Sequence, residues 1–353
     1  MQPKPERIQR KRTKGWRMPE NTVGNYPFGV GNKWQYTWGR QDKRLVSRIA
    51  MTVCVAAIAN DPASPVIVAC TDKRVTAGDM TYDMTGSKRI NLTQSIVALT
   101  AGDPSDSVQI CRIAQARIAS DGVPTSVATA AQYVAEAYRE YRRESFEREL
   151  LEPFGLTYDS FMQRQNLLDP DFVSRVDRHT REAILPLSGR EFGCSIIVAG
   201  TDTVSGPIPD WITAHIYIVS DPGQVTCQDM IGFAAIGSGA RQAESFLMLE
   251  RYGPSKVFDE ATLAVYSAKR QAELDPFVGA DTELIRVDTT GMGFASPDDL
   301  VGIEKIYKRR LDAQVRSAKQ SKNEMAAFME GLNAKSIPPS PQEPRLEAPE
   351  VPD

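Results

Sequence analysis

At Thr52 the chain changes character, and that change constrains the fold more than any other feature. The fifty residues before it are basic and broken by turn formers, as in Asn25-Tyr-Pro-Phe-Gly and Gly31-Asn-Lys, which interrupt any regular element. From Thr52 onward short apolar runs follow one another: Val53–Ala59, Pro65–Thr71, Ser87–Leu92 and Ser95–Leu99. Each is bounded by a turn signal such as Asn60-Asp-Pro or Gly86-Ser, so each reads as a strand. Two helices are predicted next. One covers Asp106–Ala119 behind the capping context Asp103-Pro-Ser; the other covers Thr125–Leu151, with its later charged stretch Arg139–Arg148 expected to face solvent. Strands are then predicted at Cys194–Gly200, His215–Ser220 and Phe233–Ile236, helices at Arg241–Arg251 and Asp259–Leu274, and strands at Glu283–Asp288 and Gly291–Phe294. This blockwise order of strands, helices, strands, helices and strands argues for antiparallel sheets with helices outside, not for alternating βαβ units.

The reading divides the chain into a basic irregular leader or truncated fusion (1–50), a globular body (51–310) with a polar insertion at 152–190, a helical extension (311–336) and a tail (337–353). A charged helix is expected from Pro297 to about Leu332. The last seventeen residues hold six prolines and read as disordered. Net charge is −3, but residues 1–50 carry twelve Lys and Arg against three acids, so the rest carries −12. The basic arm with Trp16, Trp34 and Trp38 suits either nucleic-acid binding or a solvated leader; the second reading is favoured, because motif-poor basic tails bind non-specifically. Residues 5–23 also resemble the opening of a small phage and bacterial domain of unknown function.

No apolar run is long enough to span a membrane, and no secretory signal follows Met1. The five cysteines are scattered without a CxxC or Cys/His pair, which supports neither a disulfide framework nor a zinc site. They read as buried thiols of a cytoplasmic protein.

Four features of the body fall in a telling order. Thr52 opens the first strand. Asp72 ends the second, in Thr71-Asp-Lys-Arg-Val-Thr-Ala-Gly78. Lys88 begins the third, and Gly102 follows the fourth, in Ala98-Leu-Thr-Ala-Gly-Asp-Pro-Ser-Asp106. Each has a structural alternative: a β-branched strand residue for Thr52, a surface ion pair for Asp72 and Lys88, and backbone geometry for Gly102 and for Gly237-Ser-Gly239. Cys54 is a rival nucleophile, read as buried; His215 is read as a satisfied core residue; Ser195 and Ser238 lack a full Gly-x-Ser-x-Gly elbow.

Taken in order, these residues resemble a proteasome β-type subunit of the N-terminal nucleophile (Ntn) hydrolase superfamily, over roughly residues 51–305 apart from the insertion. Asp72, Arg74 and Lys88 keep the family's spacing, and Asp106 matches its downstream Asp. Ile236-Gly-Ser-Gly-Ala-Arg-Gln-Ala243 matches the Gly-Ser-Gly before the third helix, and Asp275 aligns with the Asp near the end of the fourth. Three departures stand out: Met51 in place of the Gly before the self-cleaved Thr, Val278 in place of a Ser, and the insertion.

The resemblance implies an α+β, four-layer αββα sandwich with two antiparallel sheets. It implies a threonine-type hydrolase acting on peptide or other amide bonds with no cofactor or metal, and self-assembly into a ring. Thr52 is the nucleophile. Its α-amine, freed by removal of Met51 from a start there or of residues 1–51 from the full chain, is the base; unperturbed α-amines titrate near pH ~7.7–8.0. Lys88 lowers the pKa of that amine and stabilises negative charge, with Asp72 orienting it. The N–H of Gly102 faces the oxyanion, Ser238 and Asp275 fix the amine, and Arg74 supports Asp72. The alternative within the same fold is a catalytically inactive assembly subunit.

Overall fold

The computed structural model describes residues 52–61, 64–77, 80–83, 86–122, 126–152, 155, 157–159, 193–202 and 214–336. The leader, nearly all of the insertion and the tail lie outside the described residues.

Two five-stranded antiparallel sheets form the centre. The first has the order β10-β1-β2-β11-β12, built from β1 (Cys54–Asn60), β2 (Pro65–Asp72), β10 (Phe233–Ile236), β11 (Thr282–Asp288) and β12 (Gly291–Phe294). The second has the order β5-β6-β7-β8-β9, from β5 (Arg89–Asn91), β6 (Ile96–Ala101), β7 (Ser195–Thr201), β8 (Ala214–Ser220) and β9 (Gln224–Cys227). A separate hairpin joins β3 (Arg74–Ala77) to β4 (Met80–Asp83). Sequence reading missed this hairpin and β9, whose short strands mix polar with apolar residues.

Alternation along each strand explains the layering. On β1, Val55, Ala57 and Ala59 point to one face, where they pack with Ala261, Ala264, Val265 and Ala268. These belong to α4 (Phe258–Ala272), which lies beside α3 (Ala240–Leu249). Cys54, Ala56 and Ile58 point the other way, against Val97, Leu99, Ile197 and Ile216 of the second sheet. That sheet's outer face, through Ile96, Ala98, Ile196 and Val198, meets Ile110, Ala114, Ala131 and Val134 of α1 (Pro104–Asp121) and α2 (Val127–Phe146). Strands buried on both faces read as continuous apolar runs, which is how they appeared in the sequence. The result is the four-layer αββα sandwich.

Helix ends follow local chemistry. The Asp103 carboxylate accepts from Ser105 N–H at 2.9 Å, and Pro104 occupies the first turn of α1. Helix α2 passes into a π-helical turn at Glu147–Leu151. Its charged stretch does not simply face solvent: Arg139 donates to the Gly223 carbonyl at 3.0 Å and Arg142 to Asp221 at 2.7 Å, pinning the β8–β9 turn. Helix α5 runs without interruption from Pro297 to Ser336. No helix among the described residues is long and apolar enough to cross a membrane. Cys54, Cys70, Cys111 and Cys194 are buried, but Cys227 is exposed on β9, an edge strand where one face of each residue meets solvent.

Candidate active site

The site is assembled where the first two strands of one sheet meet the start of β5. Thr52 lies just ahead of β1, and Asp72 N–H donates to the Val53 carbonyl at 3.2 Å, so the antiparallel ladder of β1 and β2 sets Thr52 beside Asp72. Lys88 precedes β5. Its carbonyl accepts from both the N–H (2.9 Å) and the hydroxyl (3.0 Å) of Thr100 on β6. The second sheet thereby fixes the lysine backbone while the side chain crosses to the first.

All three side chains are removed from solvent, with Thr52 at 4%, Asp72 at 0% and Lys88 at 7% exposure. The Thr52 hydroxyl donates to Asp72 Oδ1 at 2.5 Å. Lys88 Nζ donates to Asp72 Oδ1 at 2.6 Å, to Thr52 Oγ1 and to the Arg74 carbonyl. Val53 N–H adds a third donor to Oδ1 at 3.0 Å, and Oδ2 receives Arg74 N–H at 3.2 Å and Gly279 N–H at 2.9 Å. Convergent donors hold the carboxylate in one orientation and satisfy a charge that burial would otherwise penalise.

Sequence reading did not single out Gly279 or its support. Buried Lys269 donates to Glu273 at 2.6 Å and to the Ala280 carbonyl at 2.8 Å, bracing the turn that brings Gly279 over Asp72. The Arg74 guanidinium reaches the Val278 carbonyl at 3.4 Å on the same turn and pairs with Asp83. Arg74 thus serves the site through its main chain as well as its side chain. No short motif links residues 269–280 to 72–74; only the β2–β11 pairing, with Thr282 opposite Asp72, does.

Ser238 is brought to Thr52, its hydroxyl donating to the Thr52 carbonyl at 3.4 Å, with Gly239 N–H on the same oxygen at 3.3 Å. Gly237 makes this approach possible: its φ is +97°, and a Cβ there would stand 2.2 Å from the Thr52 carbonyl oxygen. Gly102 follows β6 with φ +115°, and a Cβ there would strike the Gly193 carbonyl at 2.3 Å. Close packing against residues 193–194 is therefore one reason for a glycine at this position. Asp275 is not joined to Thr52 by any hydrogen bond among the described residues; its carboxylate accepts from Phe277 N–H at 2.9 Å within its own turn. Val278, where the resemblance predicts a serine, is buried in the core formed by the first sheet and α4.

Cys54 faces the second sheet with its thiol donating to the Thr100 carbonyl at 3.3 Å, and burial pushes its pKa well above the ordinary thiol value. A thiol so held is a poor nucleophile. His215 lies elsewhere, between Asp229 (2.7 Å) and Asp202 (3.4 Å). Its hydrogen bonds to Asp202 and Asp229 raise its pKa from 6.5 to about 9. Among the described residues no group of three or more His, Cys, Asp and Glu side chains is placed to hold a metal ion.

What remains is a buried hydroxyl that donates to a carboxylate and accepts from an ammonium. A cation on the hydroxyl oxygen stabilises negative charge as it develops there, and the adjoining groups lie within proton-transfer distance. The two antiparallel sheets between helix layers form an α+β sandwich of proteasome-type fold. Residues 54–153 match the family model for the proteasome subunit, which shows a proteasome-like domain there and supports a peptidase-type hydrolase. The matched stretch contains Asp72, Arg74, Lys88 and Gly102, and begins two residues beyond Thr52. No curated protein matches the chain.

Proposed function

We propose that this chain is a threonine-type N-terminal nucleophile hydrolase that cleaves peptide or other amide bonds through an acyl-enzyme on Thr52, once residues 1–51 have been removed. The observation that carries the reading is the Thr52 hydroxyl held between Asp72 and the Lys88 ammonium. In the full chain the Thr52 nitrogen is part of a peptide bond; cleavage before it frees an amine on the nucleophile's own residue.

In the reaction Thr52 Oγ attacks the amide carbon and its proton passes to that amine. Lys88 stabilises the oxygen as it becomes nucleophilic, and Asp72 keeps the lysine in place. Collapse of the tetrahedral intermediate breaks the C–N bond, the leaving nitrogen takes the proton, and an ester remains on Thr52. Water then hydrolyses the ester, releasing the acid and restoring the hydroxyl. Ser238 and Gly239, both on the Thr52 carbonyl, orient the residue. The substrate is a peptide or small amide, and the resemblance to ring-forming subunits extends the proposal to a cytoplasmic homo-oligomer.

A second reading follows from the same peptide bond. While residues 1–51 stay attached the amine base is absent, and the chain acts as an inactive assembly subunit. Intact mass and N-terminal sequence of protein from its own host, taken with peptide hydrolysis of the same sample, separate the two. The hydrolase reading expects Thr52 at the N-terminus of the active fraction. Full activity from protein that retains residues 1–51 rules out the amine as base, and an intact N-terminus without activity favours the assembly subunit.

A further inference from the structure

Helix α5 changes environment along its length. In its first turns Leu300 and Ile303 pack against the core of the first sheet and α4. The Tyr266 hydroxyl donates to Glu304, the Tyr266 ring meets Tyr307 edge-on, and Arg310 pairs with Glu250. From Leu311 to Leu332 every side chain is exposed, a rod of roughly 33 Å at ~1.5 Å per residue.

This rod is not polar all round. Leu311, Val315, Ala318, Met325, Met329 and Leu332 succeed one another at steps of four and three residues, with Lys322 completing the series. An apolar series averaging ~3.5 residues is the seam of a two-helix coiled coil. Val315 and Met325 are 61% and 60% exposed. Helices in proteins draw most of their stability from packing such a face, and among the described residues every side chain from 311 to 332 is exposed.

We propose that residues 311–332 of α5 pair with the same segment of a second copy as an antiparallel two-stranded coiled coil. Lys322 decides the direction. A parallel pair sets Lys322 against its own copy in the middle of the seam, two ammonium groups facing each other in a partly dry contact. An antiparallel pair with Lys322 opposite Met325 lays the lysine's methylene stem on an apolar side chain and frees its charge. The same register sets Ala318 opposite Met329 and Val315 opposite Leu332. The charge of the two halves agrees: Arg316 and Lys319 lie in the first half with Lys322 at its end and Asp312 the exception, and Glu324 and Glu330 lie in the second. Antiparallel pairing lays basic half on acidic half. One surface meeting its own copy about a two-fold axis closes, so the contact does not propagate into a fibre.

The test uses the full chain. Native mass spectrometry of the unmodified protein and of a Val315→Glu/Met325→Glu variant is expected to show the variant's largest assembly at half the mass of the original. Equal masses overturn the proposal. Direction is read by mild oxidation and peptide mapping of an Ala318→Cys/Met329→Cys variant. A 318–329 linkage between two chains is expected, since the two positions are too far apart along one helix to bridge within it. A 318–318 linkage formed by Ala318→Cys alone overturns the antiparallel arrangement. Neither result depends on the chemistry of Thr52, because a Thr52→Ala protein pairs in the same way.

Discussion

Two clusters in this molecule bring acids and bases together, and they do different work. At one, Asp72 and Lys88 lie buried around the Thr52 hydroxyl. At the other, His215 stands half-buried between Asp202 and Asp229. Both rely on backbone donors: Val53, Arg74 and Gly279 N–H at the first, Ile216 N–H on Asp229 and Val127 N–H on Asp202 at the second. In the second cluster those bonds join the β8 strand, the turn after β9 and the first turn of α2, so the cluster serves as a clasp. In the first, a hydroxyl accepts from the cation and donates to the anion. Convergent charge alone does not make a reactive centre; under the proposed function it is the hydroxyl oxygen placed on the first cluster that sets it apart.

The largest expected effect tests that difference directly. Thr52→Ala should abolish hydrolysis of a fluorogenic peptide and leave far-UV circular dichroism unchanged, whereas Thr52→Ser should keep part of the activity. Undiminished turnover in Thr52→Ala would move the chemistry to another residue. Lys88→Ala should lower kcat by about 10²-fold or more. It also leaves the Asp72 carboxylate buried without its cation, at a cost of about 3–5 kcal/mol in urea unfolding. A variant that lost activity but no stability would show that the pair is less buried in solution than here.

A smaller effect is expected at Gly237. Its φ of +97° and the 2.2 Å approach of a Cβ to the Thr52 carbonyl predict that Gly237→Ala costs about 1–3 kcal/mol and slows hydrolysis by displacing Thr52. Normal melting with normal kinetics would separate the turn from the site.

The smallest effect belongs to the clasp. Its folded-state pKa is raised from 6.5 to about 9, so its stabilisation is fully present below pH 6.5 and is lost as pH rises through about 9. The melting temperature should fall over that window, and His215→Gln should remove this part of the decline without changing hydrolysis at pH 7. A variant whose melting temperature follows that of the original protein across the window would exclude His215 as its source.

Much of the architecture was legible because its causes are local. Continuous apolar runs mark strands buried on both faces, Asp103-Pro104 marks a helix start, and the fall of Thr52, Asp72, Lys88 and Gly102 at strand ends is a matter of spacing. The short strands β3, β4 and β9 escaped because they mix polar with apolar residues, whereas the equally short β10 is a continuous apolar run. Exposed Cys227 departs from the expectation of buried thiols because it lies on β9, an edge strand absent from the sequence reading.

By itself the sequence determined the order of the longer elements, their arrangement as antiparallel sheets with helices outside, and which residues stand at the open ends of β1, β2 and β6. Tertiary structure alone decided that Gly279 and Lys269 serve Asp72, that Ser238 bonds to Thr52 while Asp275 bonds to its own turn, that His215 finds two aspartates, and that the second half of α5 is exposed. Each of these depends on where distant segments of the chain meet. Propensity and periodicity act over a few residues, whereas a hydrogen bond across 207 positions, such as Gly279 to Asp72, exists only once the sheet has paired β2 with β11.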